Sequence, residues 1–466
     1  MPLLNVPEKW DDEADVIVVG AGTAGLPAAI SAAVSGADVI ILEAWSGPAS
    51  SLALIAGGTP FAGTDLQKEA GIDDSPDQLF EEAVEISGGS QQLWRAIADK
   101  QLETYEWLKR LGGKPVILGL APGHRVVRGI TFEGSGARLL KIFREAAEKR
   151  GVKMLFRHRA VRLILDPTTD RVIGIRAKHE DKDLNFKARK AVILATGGFI
   201  RNKELVKEYG PAYINCVPVT PPTHLGEGLK MALDAGAATA GIGLAVCPSI
   251  SVCTETNHTT IMPVQGAIAV TRDAERWADE NGSDVGSYNV MFRELLQKQP
   301  DGLHFVIYDS KIREEAFAKD YLHVREYQAD TIAEVARAVG LDAEALVEAV
   351  NEYNSDIDEH GYDTRFGKRE WGGSHRQEPP PKIDTPPFFA VRCKVSLSSL
   401  KGGIKINNRA QVVDNFDTPI RGLYAAGELT GGLVGIPEAY WTGTMTLGSF
   451  VLGRTAGENA AAEAGN

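Results

Sequence analysis

Two stretches of this chain carry residue types that could do chemistry. The first is Gly20-Ala21-Gly22-Thr23-Ala24-Gly25, and the second is Tyr440-Trp441-Thr442-Gly443-Thr444. A phosphate can approach a turn only where no side chain intervenes, and a helix starting there aims its free N–H groups and positive dipole end at the anion. Gly20, Gly22 and Gly25 supply that clearance. Glu43 follows Gly25 by 18 residues, where a carboxylate can accept hydrogen bonds from ribose hydroxyls. An acid there favours an adenosine ribose without a 2′-phosphate. In the second stretch, Tyr440 stands two residues from the hydroxyl of Thr442. A tyrosine, with a pKa near ~10, becomes a useful base only when neighbouring donors stabilise its anion. Aromatic packing in a glycine-rich loop accounts for the same residues, and spacing alone favours packing.

The glycine turn needs a strand before it and a helix and strand after it. Val16 to Val19, all β-branched, and Val39 to Leu42, β-branched up to its final leucine, are apolar runs suited to a parallel strand buried on both faces. Between them, Ala28, Ala29, Ala32 and Ala33 give a helix a small face. The turn lies near the N-terminus with no second copy, since Gly134-Ser135-Gly136 lacks a third glycine and a preceding strand. That arrangement suits tightly held FAD better than a dissociable nicotinamide. Ser50 and Ser51 fall in a glycine-rich loop after Glu43. They could reach a pyrophosphate or serve the loop alone.

Helical patterns start at Pro76 and run over Leu93 to Leu111 and Gly136 to Arg150. Strand patterns follow at Met154 to Phe156, Val161 to Asp166, Val172 to Ala177 and Ala191 to Ala195, the last ending in the small turn Thr196-Gly197-Gly198. Gly226 to Gly236 reads as a short helix. From about Gly243 the texture changes. A long helix is expected over Asp330 to Tyr353, N-capped by Asp330 and Thr331, and a proline run near 379–387 marks a return crossing. The expected fold class is α/β: a Rossmann-like FAD-binding domain (1–243 and 386–466) with an inserted α+β cap, or substrate, domain (244–385).

The 466 residues are 44% apolar, with a net charge of −12 and a pI near 5.4. That balance argues against a general affinity for nucleic acid or anionic membrane. The first 14 residues lack a signal-peptide pattern and no apolar run reaches membrane-spanning length, so a cytoplasmic protein without a transmembrane segment is expected. Cys216, Cys247, Cys253 and Cys393 show no CxxC spacing, which removes a redox dithiol and a zinc site and leaves buried, inert thiols. Nine scattered histidines give no support for a metal.

Taken together, DVIVVGAGTAGLPAA, AVILATGGF, HLGEGLKMALDAGA, GGIKIN and GLYAAGELTGG resemble, in order, the flavoprotein family of fumarate reductases, succinate dehydrogenase flavoprotein subunits and 3-ketosteroid dehydrogenases. The resemblance covers nearly the whole chain. It implies FAD, with Gly20, Gly22, Gly25 and Glu43 at the ADP half and Val161 at the adenine. It further implies Thr196, Gly197, Gly427 and Glu428 along the ribityl and pyrophosphate region, and Thr444 among the cofactor contacts. No histidine occurs in 44–64, where covalent members attach flavin, so FAD is expected to be non-covalent.

The departures bear on substrate. Dicarboxylate members carry a histidine pair before their GG motif and an arginine in the C-terminal glycine-rich segment. Here those places hold Ser398-Ser399 and Tyr440. Tyr440-Trp441-Thr442-Gly443-Thr444 is similar to the tyrosine–hydroxyl pattern of the ketosteroid Δ4-dehydrogenase branch. That likeness implies a FAD-dependent dehydrogenase or ene-reductase acting on the CH–CH bond beside the carbonyl of a cyclic ketone, a 3-ketosteroid or a smaller ring. Tyr440 and Thr442 would be catalytic, with a second hydroxyl from Tyr288; Tyr308 and Tyr321 compete for that role. Arg276 and Glu280 are expected to form a structural pair at the cap interface. Electrons would pass to or from an external acceptor or donor, because haem and iron–sulfur ligands are missing. One rival is a dicarboxylate or tricarboxylate oxidoreductase using Arg272, Arg276 or Arg293. The other is a non-catalytic FAD-binding protein.

Overall fold

The computed structural model describes residues 6–54, 58–120, 123–243, 246–260, 266–280, 285–317, 324–369, 379–436 and 441–465. Tyr440 and Tyr321 lie outside the described residues. The chain divides into two compact units, residues 1–209, 220–246 and 399–466 forming the first and 210–219 and 247–398 the second.

The first unit is built on β1 (Asp12–Val19), whose Val16, Ile17 and Val18 are fully buried. β1 leads through the glycine turn into α1 (Gly25–Val34) and then β2 (Val39–Glu43). Further along come α2 (Pro76–Ser87), α3 (Gln91–Arg110), β3 (Lys153–Phe156), β4 (Arg159–Leu165), β5 (Val172–His179) and β6 (Lys182–Leu194). The unit closes with β7 (Pro419–Ala425) and α4 (Thr444–Ala462). Five strands are parallel in the order β7, β6, β1, β2, β3. β4, β5 and β6 form an antiparallel meander. Register decides the consequence: Val19 pairs with Leu42 and with Leu194, and Leu194 pairs with Ala425. The strands therefore end level, and the turns that follow them gather at one carboxyl edge, where open α/β sheets bind ligands.

Helix α4 has no counterpart among the sequence expectations, and it carries Gly448, Gly453 and Gly457, residues of low helix propensity. The structure gives two of them another purpose. A Cβ on Gly453 would lie 2.5 Å from the carbonyl oxygen of Ala24, and one on Gly457 would overlap that of Ala28. Small residues on both helices let α4 and the alanine face of α1 approach backbone to backbone.

In the second unit, strand Phe388–Leu400 pairs antiparallel with Leu303–Asp309, which pairs in turn with Ile268–Val270. Val217–Pro218 and Tyr327–Ala329 also pair with Phe388–Leu400. This central strand explains why the unit runs to Ser398 rather than to residue 385, and why it recruits 210–219. The helix expected over Asp330 to Tyr353 is two helices, Ile332–Val339 and Ala343–His360. Gly340 ends the first at φ 84°, Asp342 caps the second, and Thr331 rather than Asp330 caps the first through the N–H of Glu334.

Arg276 and Glu280 form a buried bidentate pair at 2.8 Å, extended by Asp363 and Lys368, wholly inside this unit. Cys253 and Cys393 are buried, and Cys216 is partly so, its thiol pushed by burial up to about 12. Among the described residues no helix is long and apolar enough to cross a membrane.

Candidate cofactor and active site

The edge of the first unit's sheet assembles the predicted binding residues. Gly20 turns at φ 105°, which favours glycine, and a Cβ on it would overlap the Ala195 carbonyl oxygen; one on Gly25 would overlap the carbonyl oxygen of Gly20. No side chain caps the N-terminus of α1. Beside Gly22 stands Ser50, whose hydroxyl lies 2.5 Å from that of Thr23. Ser51 Oγ is buried with no hydrogen-bond partner among the described residues.

Glu43 is more occupied than the sequence suggested. Oε2 accepts the N–H of Ala21 at 2.8 Å and Oε1 that of Trp45 at 2.7 Å, so the carboxylate pins the glycine turn to the end of β2. Burial raises its pKa against those donors. Val161 is half-buried on β4 at a bulge; just before β4, the N–H of His158 bonds the Glu43 carbonyl at 2.9 Å.

The second half of the site lies beyond β6 and β7. Thr196, Gly197 and Gly198 follow β6, and Gly427 and Glu428 follow β7. Gly197 adopts φ 73°, and a Cβ there would strike the ring of His224, while one on Gly198 would strike Glu428 Oε1. Thr196 Oγ1, His224 Nδ1 and Glu428 Oε1 are all buried without a hydrogen-bond partner among the described residues. A bare glycine turn, an uncapped helix start and four orphaned polar atoms, counting Ser51 Oγ, are what an extended, hydroxyl-rich, doubly charged molecule would complete. The residues fit FAD.

The proposed catalytic stretch is seen from residue 441 onward. Thr444 begins α4, with its hydroxyl donating to the Trp441 carbonyl at 2.7 Å. Trp441 is packed edge-on against Trp94, with ring centroids 5.4 Å apart, and stacked on His124 at 4.3 Å. His124 was given no role from sequence, yet its Nε2 lies 2.9 Å from the carbonyl oxygen of Thr442. A carbonyl only accepts, so Nε2 carries the proton. Burial, helped by the nearby Arg128, holds His124 down at about 3, so the ring is neutral.

Arg128 is fully buried, paired with both oxygens of Asp74 at 3.0 Å and with Glu82 Oε2 at 3.1 Å. Glu82 Oε1 accepts the N–H of Arg125 at 2.9 Å and the indole N–H of Trp441 at 3.3 Å. The Trp441–Thr442 backbone is thus moored to a buried polar cluster. No local sequence signal could have found it, because its members are spread from Asp74 to Thr442.

The rest of the catalytic set is not assembled by the described side chains. Tyr288 falls on helix Val285–Lys298, in a stretch whose side chains are outside the description. Tyr308 is a core residue, stacked on Phe389 at 5.4 Å with its hydroxyl donating to Glu326 at 2.7 Å, and so drops out as an alternative. Ser399 is buried.

Fold and site define an α/β dinucleotide-binding flavoprotein whose chain forms a second unit between β6 and β7, two strands that pair with each other in the sheet. Residues 15–439 match the model of the FAD binding domain family, and the chain belongs to that family. It is 30% identical over 461 residues to the fumarate reductase (cytochrome) of Shewanella frigidimarina, covering 97% of this chain and 77% of that one. A flavocytochrome c3 fumarate reductase solved in its open conformation superposes with a TM-score of 0.86 at 28% identity, over 97% of this chain and 79% of that one. The 3-ketosteroid-Δ4-(5α)-dehydrogenase of Rhodococcus jostii, solved with 4-androstene-3,17-dione, gives a TM-score of 0.74 at 28% identity, over 97% and 98% of the two chains. The protein is an FAD-dependent oxidoreductase of the type that acts on CH–CH or C=C bonds.

Proposed function

We propose that this enzyme desaturates, or in the reverse direction saturates, the CH–CH bond beside the carbonyl of a cyclic ketone, exchanging electrons with an external carrier. FAD, when bound, supplies the hydride acceptor or donor at N5. In this reading Tyr440 moves the proton at the carbon next to the carbonyl, Thr442 tunes Tyr440, and Tyr288 is the second hydroxyl, holding the developing enolate oxygen. The cofactor is held without a covalent bond, by Gly20, Gly22, Gly25, Glu43, Ser50 and Ser51 on the ADP and pyrophosphate side. Val161 lies toward the adenine, and Thr196, Gly197, Gly427, Glu428 and Thr444 toward the flavin.

The observation that carries the choice of substrate is the state of the arginines. A dicarboxylate would need fixed cations to offset its desolvation. Arg276 is buried against Glu280 and Asp363, Arg272 is paired with Asp301, and Arg293 is not a free cation either. Ser398 and Ser399 offer only hydroxyls. The polyacid reading keeps its place through the likeness to fumarate reductases. A panel of cyclic ketones, enones and polyacids with an artificial electron carrier separates the two: rapid turnover of a polyacid would overturn the proposal. Tyr440→Phe should keep full FAD and lose about 10²–10⁴-fold in ketone turnover, and Thr442→Val less. A rate within a few-fold of the parent would make Tyr440 a packing residue.

A further inference from the structure

The loop that leads into the helix Glu227–Asp234 brings a histidine against the flavin-side turn. His224 is buried, and its ring fills the space that a side chain on Gly197 would need. Glu428 fills the corresponding space at Gly198, and Thr196 Oγ1 that at Gly228. These glycines let two polar side chains press onto the turn and let the turn's own Thr196 press onto the helix. His224 Nδ1 stands 3.6 Å from Glu428 Oε2, which is ion-pair range but too long for a hydrogen bond. Both Nδ1 and the other carboxylate oxygen, Oε1, are buried and lack a hydrogen-bond partner among the described residues. Burying two polar atoms side by side, each unsatisfied, is costly unless something completes them.

The geometry points to His224 as a positioning residue for the cofactor. When FAD binds, the Nδ1–H of His224 donates to Glu428 Oε2 and fixes the carboxylate so that Oε1 accepts from a hydroxyl of the cofactor. His224 acts on FAD through Glu428, and the thermodynamic signature of such an arrangement is non-additivity. The inference depends on FAD binding alone, and the identity of the oxidisable substrate does not enter it.

The test is a double-mutant cycle on FAD itself. FAD content of the purified proteins and Kd for FAD, by fluorescence titration of deflavinated protein, are measured for the parent, His224→Leu, His224→Asn, Glu428→Gln and His224→Leu/Glu428→Gln. His224→Leu should weaken FAD by about 5- to 150-fold, the range for an unpaired buried group. His224→Asn, whose side-chain N–H can stand near the Nδ1 position, should stay within a few-fold of the parent. In the Glu428→Gln background, His224→Leu should cost far less than in the parent. Unchanged FAD content and Kd in His224→Leu would overturn the inference. So would equal losses in the two backgrounds, or an Asn variant as weak as the Leu variant, because a histidine that merely packs would give those results.

Discussion

The buried cluster reaches the turn ahead of α4 through the Trp441 indole bond to Glu82 and through the bond from His124 Nε2 to the Thr442 carbonyl, and the second can be cut without removing the ring stacked on Trp441. His124→Phe keeps a ring at 4.3 Å from the indole and removes only the donor. An acceptor left unpaired on a buried surface costs about 1–3 kcal/mol; Thr442 is half-buried, so the lower half of that range, about 1–2 kcal/mol, applies. This corresponds to about a 5- to 30-fold loss in the turn's preference for its present geometry. Hydrogen exchange of the amides of residues 441–446 in the FAD-loaded protein should accelerate by that factor, with exchange in β1 and β6 unchanged. His124→Gln, which presents an amide N–H near the same place, should recover most of the protection despite losing the stack. If Tyr440 and Thr442 carry the chemistry, kcat should fall in His124→Phe while KM moves little. Parent-like exchange and parent-like kcat in the Phe variant would refute the reasoning, and equal damage from Gln would assign the effect to the ring stack.

Other expected outcomes follow from the same geometry. Burial holds His124 at about 3 and His304, a fully buried residue of strand Leu303–Asp309 beside the Ser251 hydroxyl, at about 4, against an unfolded value of 6.5, so only the unfolded chain takes up those protons as pH falls below 6.5. Stability should then drop by up to about 1.4 kcal/mol per pH unit per histidine, visible as Tm measured from pH 7 to 5; His124→Gln/His304→Gln should flatten that limb. Glu280→Gln should destabilise the second unit by about 3–5 kcal/mol in urea unfolding, because Arg276 and Lys368 lose the carboxylate they share in a buried site, and a loss below about 1 kcal/mol would show the network is not under strain from desolvation. Gly25→Ala should yield folded protein without yellow colour, since the new Cβ would overlap the Gly20 carbonyl; a full FAD content would mean that the turn adapts.

The sequence by itself determined the parts of this protein whose cause is local. A β-branched run, a glycine turn and a small-faced helix specify strand, phosphate turn and helix within 20 residues or so, because each depends on neighbours along the chain. The same holds for the turns at Thr196–Gly198 and Gly427–Glu428. Tertiary structure decided which of these meet: the parallel register sets the ends of β1, β2, β6 and β7 level, and nothing local fixes that alignment. It also carried a helix through Gly448, Gly453 and Gly457, since the gain from close packing of α4 on α1 outweighs a propensity cost of about 1 kcal/mol per glycine. Tyr308 looked as available as any tyrosine until strand pairing buried it. Asp74, Glu82, His124 and Arg128 are ordinary polar residues along the chain. They became a mooring for Trp441 and Thr442 only in the fold, because a charge can be buried only where its partners, however distant in sequence, are brought within hydrogen-bonding reach.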